Sequence, residues 1–362
     1  MTYRRLVRSL LFRLEAETAH GLTLSALRAA QSVPLALWIL KVVYRAPNNP
    51  VRVFGLDFKN PVGLAAGYDK DALAVRALGA LGFGHVEIGT VTPLPQEGNP
   101  KPRLFRLVED EAVINRMGFP SRGSVFVREQ LSPSRRTSLF ERALKLKPRR
   151  SDVILGVNIG KNKSTPNEEA VLDYLSLLQE FASHADYIAV NVSSPNTVGL
   201  RQLQGRAALE GLLTQLHAQR QFEEASCKKR LPLLVKLAPD LTPSELDDAL
   251  DVILQTRMDG VIATNTTLAR EGLRSNRQGE AGGLSGRPLT VRSEAMLSQI
   301  VKRVDGRIPV VSAGGVMGPE DAKRRLGMGA ALVQVYTGLA YRGPGLVRQI
   351  ARGLSSSAQS SS

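Results

Sequence analysis

Tyr187-Ile188-Ala189-Val190-Asn191-Val192-Ser193-Ser194-Pro195-Asn196 opens as an apolar, β-rich run and ends in hydroxyl and amide side chains. A run apolar at nearly every position suits a parallel strand buried on both faces. Seven other runs follow the same grammar, at residues 61–67, 85–91, 153–159, 233–238, 260–266, 308–314 and 332–337. Helical patterns lie between them, notably at 167–183, 206–223, 242–257 and 288–303. Thr242-Pro243-Ser244-Glu245 supplies an N-cap, a proline at N1 and a glutamate at N3, a well-formed helix start. Eight strand–helix units predict an α/β chain folded as a closed (β/α)8 TIM barrel. An open doubly wound sheet is the alternative, but the helix-opening Gly-x-Gly-x-x-Gly fingerprint is missing.

Polar residues gather where the apolar runs end. They include Asp69, Lys70, Thr90, Asn158, Asn191, Ser193, Ser194, Asn196, Lys236, Thr264, Asn265, Thr266, Tyr336 and Thr337. In a barrel these positions ring the C-terminal mouth, where barrel enzymes keep their chemistry. A single asparagine or threonine there can simply cap the next helix. The whole set, drawn from so many strands, implies a pocket for a large polar ligand. Three excursions, at 92–115, 196–205 and 269–287, open on the same face. The last runs are rich in glycine, with Gly282-Gly283-Leu284-Ser285-Gly286, Gly314-Gly315 and Gly338. Backbone amides after the late strands of a barrel often bind phosphate. The pattern by itself says phosphate, and does not name the ligand that carries it.

The 362 residues exceed one barrel of roughly 250 residues, so a small extra domain fits. Residues 1–45 form it. Arg4, Arg5, Arg8, Arg13, Arg28, Lys41 and Arg45 outnumber Glu15 and Glu17 there, and Leu6, Leu10, Leu11, Leu14, Leu22, Leu24 and Leu27 recur at helical spacing. A third apolar stretch spans 33–43. Gly21 and Pro34 are expected to punctuate two or three short helices. Two readings stand for these helices: a membrane-surface element, or a cap packed on its own core. Residues 46–354 make the barrel, and the serine-rich end, 355–362, is expected to be a disordered tail.

The net charge of +15 comes with scattered basic residues and only 5% aromatics, which argues against nucleic acid and for small anions or anionic surfaces. The single cysteine, Cys227, sits in a polar run from 223 to 230 that reads as a solvated loop. One cysteine excludes an intrachain disulfide. The four histidines, His20, His85, His184 and His217, show no metal-ligand spacing, so no metal site is expected.

Ala65-Ala66-Gly67-Tyr68-Asp69-Lys70, Asn115-Arg116-Met117-Gly118-Phe119, Asn158-Ile159-Gly160-Lys161-Asn162-Lys163 and Asn191-Val192-Ser193-Ser194-Pro195-Asn196-Thr197 together resemble the dihydroorotate dehydrogenase signature, across about residues 50–350. The departures are small: Tyr68 stands where leucine or phenylalanine is common, and Ser164 where aspartate is. The resemblance implies oxidation of (S)-dihydroorotate to orotate in pyrimidine biosynthesis, with FMN as hydride acceptor.

Carried over by position, Ser194 becomes the base that removes the C5 proton. Lys70, Asn115, Asn196, Asn265 and Thr266 hold the orotate, within a substrate loop that includes Arg116, Met117, Gly118 and Phe119. Asn191 contacts substrate and flavin. Ala66, Gly67, Tyr68, Asp69 and Lys70 bind the cofactor, Thr90, Asn158, Lys236 and Thr264 hold its isoalloxazine, and Gly286, Gly315, Tyr336 and Thr337 the phosphate. Serine as the base, where soluble classes use cysteine, points to the quinone-reducing, membrane-associated class. The helices at 1–45 then form a quinone tunnel, with His20 and Arg103 facing the quinone. A peripheral place on the cytoplasmic face of a bacterial membrane is expected, with no obligate protein partner.

Overall fold

The computed structural model describes residue 3 and residues 7–132 and 153–359. Arg4, Arg5, Leu6 and residues 360–362, named above from the sequence, lie outside the described residues. An antiparallel hairpin, β1 (Val51–Val53) and β2 (Leu56–Phe58), leads into the first barrel strands, β3 (Val62–Leu64) and β4 (His85–Val91). A second hairpin follows, β5 (Leu104–Leu107) and β6 (Ala112–Asn115). The chain then runs through β7 (Ile154–Ile159), β8 (Tyr187–Asn191), β9 (Leu233–Leu237), β10 (Gly260–Ala263), β11 (Gly283–Gly286), β12 (Val310–Ala313) and β13 (Leu332–Val335). Eight parallel strands close in the order β10-β12-β13-β3-β4-β7-β8-β9, with β9 paired back to β10. They are the eight runs expected from the sequence.

The strands read as continuous apolar runs because both faces are buried. Outward residues such as Val86, Val157, Val190 and Val235 pack under the surrounding helices in one large core. Inward residues Ala189, Leu234, Ile262 and Val311 form a second core inside the barrel. Phe54 and Phe58 of the first hairpin reach into that inner core and plug the N-terminal end. The plug leaves the opposite end as the open mouth. Helix Pro243–Gln255 begins with a complete capping box between Thr242 and Glu245, as the sequence indicated. A cap of this kind stabilises its helix by about 0.5–2 kcal/mol.

Two excursions read as separate loops are in fact one structure. β11, from the excursion at 269–287, pairs antiparallel with β6, from the excursion at 92–115. The resulting three-stranded sheet, β11-β6-β5, sets Gly283 opposite Asn115. Pattern reading misses it because the pairing is between segments far apart in the chain.

Three helices precede the barrel: α1 (Arg8–Arg13), α2 (Ala16–Ser32) and α3 (Pro34–Val43). Gly21 lies inside α2 and does not break it. The break falls at Glu15, whose carboxylate accepts the Thr18 backbone N–H at 2.8 Å and caps α2. Pro34 does start α3, which turns 113° from α2. Among the described residues no single helix is long and apolar enough to cross a membrane.

Two other expectations fail. Residues 223–227 are the last turn of helix Arg206–Cys227, extended because Arg220 and Glu223 are buried and Arg220 pairs with Asp259 at 2.6 Å. At the serine-rich end, helix Leu346–Gln359 runs into the stretch assigned to the tail. Ser355 Oγ donates to Asn49 Oδ1 at 2.7 Å, tying the first residue of that stretch to the barrel.

Candidate functional site

One cavity opens at the C-terminal mouth of the barrel. Of the residues singled out in the sequence, it gathers Ala66, Gly67, Lys70, Thr90, Asn115, Met117, Gly118, Phe119, Asn191, Ser194, Asn196, Lys236, Thr264, Asn265, Thr266, Gly286, Gly315, Tyr336 and Thr337. The rest stand apart. Asn158 sits behind the wall, Asp69 accepts the Leu73 and Ala74 backbone N–H groups at 2.8 Å each, and Tyr68 turns toward α2. Arg116 points away from the cavity, paired with Glu280 at 2.7 Å and laid over the Phe105 ring. His20 and Arg103 do not line the cavity either.

The amides on the wall form a connected chain. Thr90 Oγ1 donates to Asn158 Oδ1 at 2.6 Å, and Asn191 Nδ2 donates to the same two oxygens. Asn265 Nδ2 donates to Asn191 Oδ1 and Ser193 Oγ, linking β8 to β10. Asn196 Nδ2 donates to Asn115 Oδ1 at 3.0 Å, bringing the β5–β6 hairpin to the Ser194 loop. A slip in the β4–β7 register between Ile88 and Val91 accompanies the turn of Thr90 into the cavity. Each side chain is thereby held in one orientation, as a preorganised polar site requires.

Ser194 is buried on the wall, and its Oγ accepts the Asn196 backbone N–H at 3.2 Å. Arg201 braces this loop: it donates to the carbonyls of Ser193 and Thr266 and pairs with Asp240 at 2.8 Å. Lys70 Nζ donates to Gly67 O at 2.6 Å. Burial lowers the Lys70 ammonium to about 8, against the opposing pull of Asp71 and Glu17.

Beneath the cavity lies a buried charge that sequence reading missed. Glu87, in the middle of β4, is fully enclosed. Its carboxylate accepts from Asn158 Nδ2 at 2.9 Å, Tyr187 Oη at 3.0 Å and Gln334 Nε2 at 2.8 Å, and Lys236 Nζ lies 3.6 Å away. Burial, then the charge of Glu87, pushes the Tyr187 hydroxyl up, so it remains a donor. A charged residue inside an apolar strand run was the one available signal. Gln334, Leu289 and Met317 also line the cavity without having been singled out.

The sequence profile of the dihydroorotate dehydrogenase family matches residues 50–357. The chain belongs to the dihydroorotate dehydrogenase family. It is 47% identical over 346 residues to a dihydroorotate dehydrogenase (quinone) of Idiomarina loihiensis, covering 95% of this chain and 98% of the relative. A dihydroorotate dehydrogenase (quinone) of Halorhodospira halophila is likewise 47% identical, covering 96% of each. The fold superposes on the ligand-free crystal structure of the Eimeria tenella dihydroorotate dehydrogenase with a TM-score of 0.80 at 41% identity, over 90% of this chain and 93% of that one. The ferulenol complex of the same enzyme gives 0.79 at 40%, over 90% of each.

Dihydroorotate dehydrogenases are flavin-dependent, and this cavity carries the features that such a ligand requires. A Cβ added at Gly315 would lie 2.3 Å from Thr290 Oγ1, and one at Gly286 2.4 Å from Glu111 O, so packing against these loops admits only glycine at both positions. Gln334 Oε1 is buried without a hydrogen-bond partner in a side chain that lines the wall, an acceptor aimed at nothing within the protein.

Proposed function

We propose that this chain oxidises (S)-dihydroorotate to orotate, with FMN as the bound hydride acceptor and a membrane quinone as the final oxidant. The observation that carries the reading is Ser194 buried among Asn115, Asn191, Asn196, Asn265 and Lys70 on one cavity wall. FMN, when bound, supplies the acceptor for the hydride that leaves C6 of the substrate. The protein's own residues supply the rest. Lys70 and the asparagines bind and orient the anionic ring. Ser194 Oγ passes on its own hydroxyl proton as it takes the C5 proton, and the Asn196 N–H that it already accepts stabilises the negative charge that builds on Oγ as that hydroxyl proton leaves. Thr197, buried in the same loop with its Oγ1 unpartnered, is the next hydroxyl available to relay the proton. Lys236 lines the cavity, and its positive charge would favour the anionic form of a reduced flavin there. Gly286, Gly315, Tyr336 and Thr337 would hold the phosphate, and Thr90, Thr264 and Gln334 the ring.

The N-terminal helices support the quinone side of the reading. Leu22, Leu35, Trp38, Ile39 and Val42 are exposed on α2 and α3, beside Arg28 and Lys41. Exposed apolar residues flanked by basic ones suit the membrane interface and support a peripheral association with the membrane. His20 of α2 packs edge-on against Tyr68 at 4.8 Å between ring centroids, and Tyr68 Oη lies 3.2 Å from Thr23 Oγ1. Gly67, next to Tyr68, lines the cavity. This side-chain contact is the route we assign to electrons leaving for the quinone. Burial, then the Lys70 charge, pushes His20 down to about 4, so it is neutral at physiological pH. Arg103 is a brace here: it pairs with Glu17 at 2.8 Å and donates to the carbonyls of Glu97 and Asn99.

Ser194→Ala tests the chemistry. Flavin reduction by dihydroorotate should slow by about 10²–10⁴-fold with flavin still bound. Near-normal reduction removes Ser194 from the role. Steady-state turnover against quinone, fumarate and NAD tests the acceptor, and activity with fumarate or NAD alone would contradict the quinone reading.

A further inference from the structure

Arg325 is the largest fully buried side chain among the described residues. It sits on helix Pro319–Gly327, directly behind the glycine loop that follows β12. Its Nη1 donates to Ser312 Oγ at 2.8 Å, and its Nη2 to Ser293 Oγ at 2.8 Å and Gly314 O at 2.6 Å. Glu294, the nearest carboxylate, lies 3.6 Å from Nε and is shared with Arg324. Nε itself has no hydrogen-bond partner. Burying a guanidinium is costly unless its charge is used. No step of the proposed chemistry uses it.

The geometry of the peptide group shows what it does. In a planar trans peptide the C=O of one residue and the N–H of the next point in opposite directions. Gly314 O is drawn back toward the helices by Arg325, with Ser293 Oγ 2.9 Å from the same oxygen. The Gly315 N–H therefore points forward, toward the cavity that Gly314, Gly315 and Val316 line. The next peptide repeats the pattern: Thr290 Oγ1 donates to Gly315 O at 3.1 Å, which turns the Val316 N–H forward. Gly314 and Gly315 both take positive φ, +100° and +76°, the backbone this arrangement needs. Burial lowers the Arg325 guanidinium to about 10, which still leaves it charged at neutral pH.

We propose that Arg325 is the positioning residue of the phosphate cradle: it fixes the Gly314–Gly315 peptide with its amide facing the cavity and sets a buried positive charge behind it. The cradle thus selects a flavin that bears a phosphate monoester over the same flavin without one. This rests on the proposed flavin binding. Arg325 touches neither substrate nor flavin and acts only through the loop.

The test compares FMN with riboflavin, which shares the ring and lacks the phosphate. The full chain, stripped of flavin, is titrated with each, and binding is read by quenching of flavin fluorescence. Wild type should favour FMN strongly. Arg325→Met should cut the FMN-over-riboflavin preference by about tenfold or more while riboflavin affinity stays near wild type. Arg325→Lys, which keeps the charge and loses the fork, should fall between. Equal weakening of both flavins, or an unchanged preference, would overturn the proposal. If Arg325→Met does not fold by circular dichroism, Thr290→Val decides, since it frees Gly315 O from the other side. A lowered preference then supports the cradle, and an unchanged one overturns it. Wild type that binds neither flavin would instead refute the flavin reading itself.

Discussion

Replacing Glu87 with glutamine probes the charge buried under the cavity. The side chain keeps its shape and loses its charge. Glu87 is 0% exposed and the Lys236 side chain 7%, so solvent screens the pair only weakly. One oxygen, a double acceptor for Tyr187 and Gln334 or for Asn158 and Lys236, becomes an amide that faces donors. Lys236 is left buried without a counter-charge. Breaking one side of a buried pair costs about 3–5 kcal/mol. With about 2.1 cal/mol/K of unfolding entropy per residue, that lowers the melting temperature by roughly 4–7 °C for a chain of this length. The assay is thermal unfolding of wild type, Glu87→Gln, Lys236→Met and the double variant, all stripped of flavin so that ligand binding does not add to stability. The double variant should recover much of the single-variant loss, because removing both charges removes the desolvation penalty. If Glu87→Gln melts within a degree of wild type, or the two losses simply add, the pair is not what holds the cavity floor.

Three other outcomes rest on the same geometry. Lys70, held near 8 by burial, is protonated at pH 7 and loses its proton as pH rises through that value. Because an anionic substrate needs the protonated form, KM for dihydroorotate should be flat below about 8 and climb above it, and a KM insensitive to alkaline pH would remove Lys70 from substrate binding. Glu17→Gln weakens the tie between α2 and Arg103, a charge-assisted contact worth about 1.5–3 kcal/mol. KM for quinone should rise while dihydroorotate-driven flavin reduction keeps its rate; a change in reduction alone would speak against the link. Gly286→Ala forces a side chain onto φ +96° and a Cβ to 2.4 Å from Glu111 O. It should loosen the β11–β6 pairing and release flavin on gel filtration, and full flavin retention would show that the loop is more yielding than its packing indicates.

The barrel was legible in the sequence because burial on both faces of a parallel strand erases polar alternation. Residues 187–190 and 260–263 show this directly, and the strands β8 and β10 fall there. The mouth was legible for the same reason, since polar residues are tolerated only where the apolar runs stop: Thr90, Asn191, Ser194, Lys236 and Asn265 all line the cavity. Local signals such as the Thr242–Glu245 box were equally readable, as they depend on residues three apart. Gly21 misled, because a glycine within a helix is a modest local cost that packing overrides.

What tertiary structure alone decided is everything that depends on contacts distant along the chain. The sequence places Glu87 in an apolar run, but only barrel closure brings Asn158, Tyr187, Lys236 and Gln334 around it. Likewise, nothing local to residues 92–115 or 269–287 shows that β6 and β11 pair. Arg325 looks like a surface residue of a polar helix until folding sets it against Gly314 O and Ser312. Periodicity records which face of an element is buried. Which partners wait on that face is fixed only by how the elements close on one another.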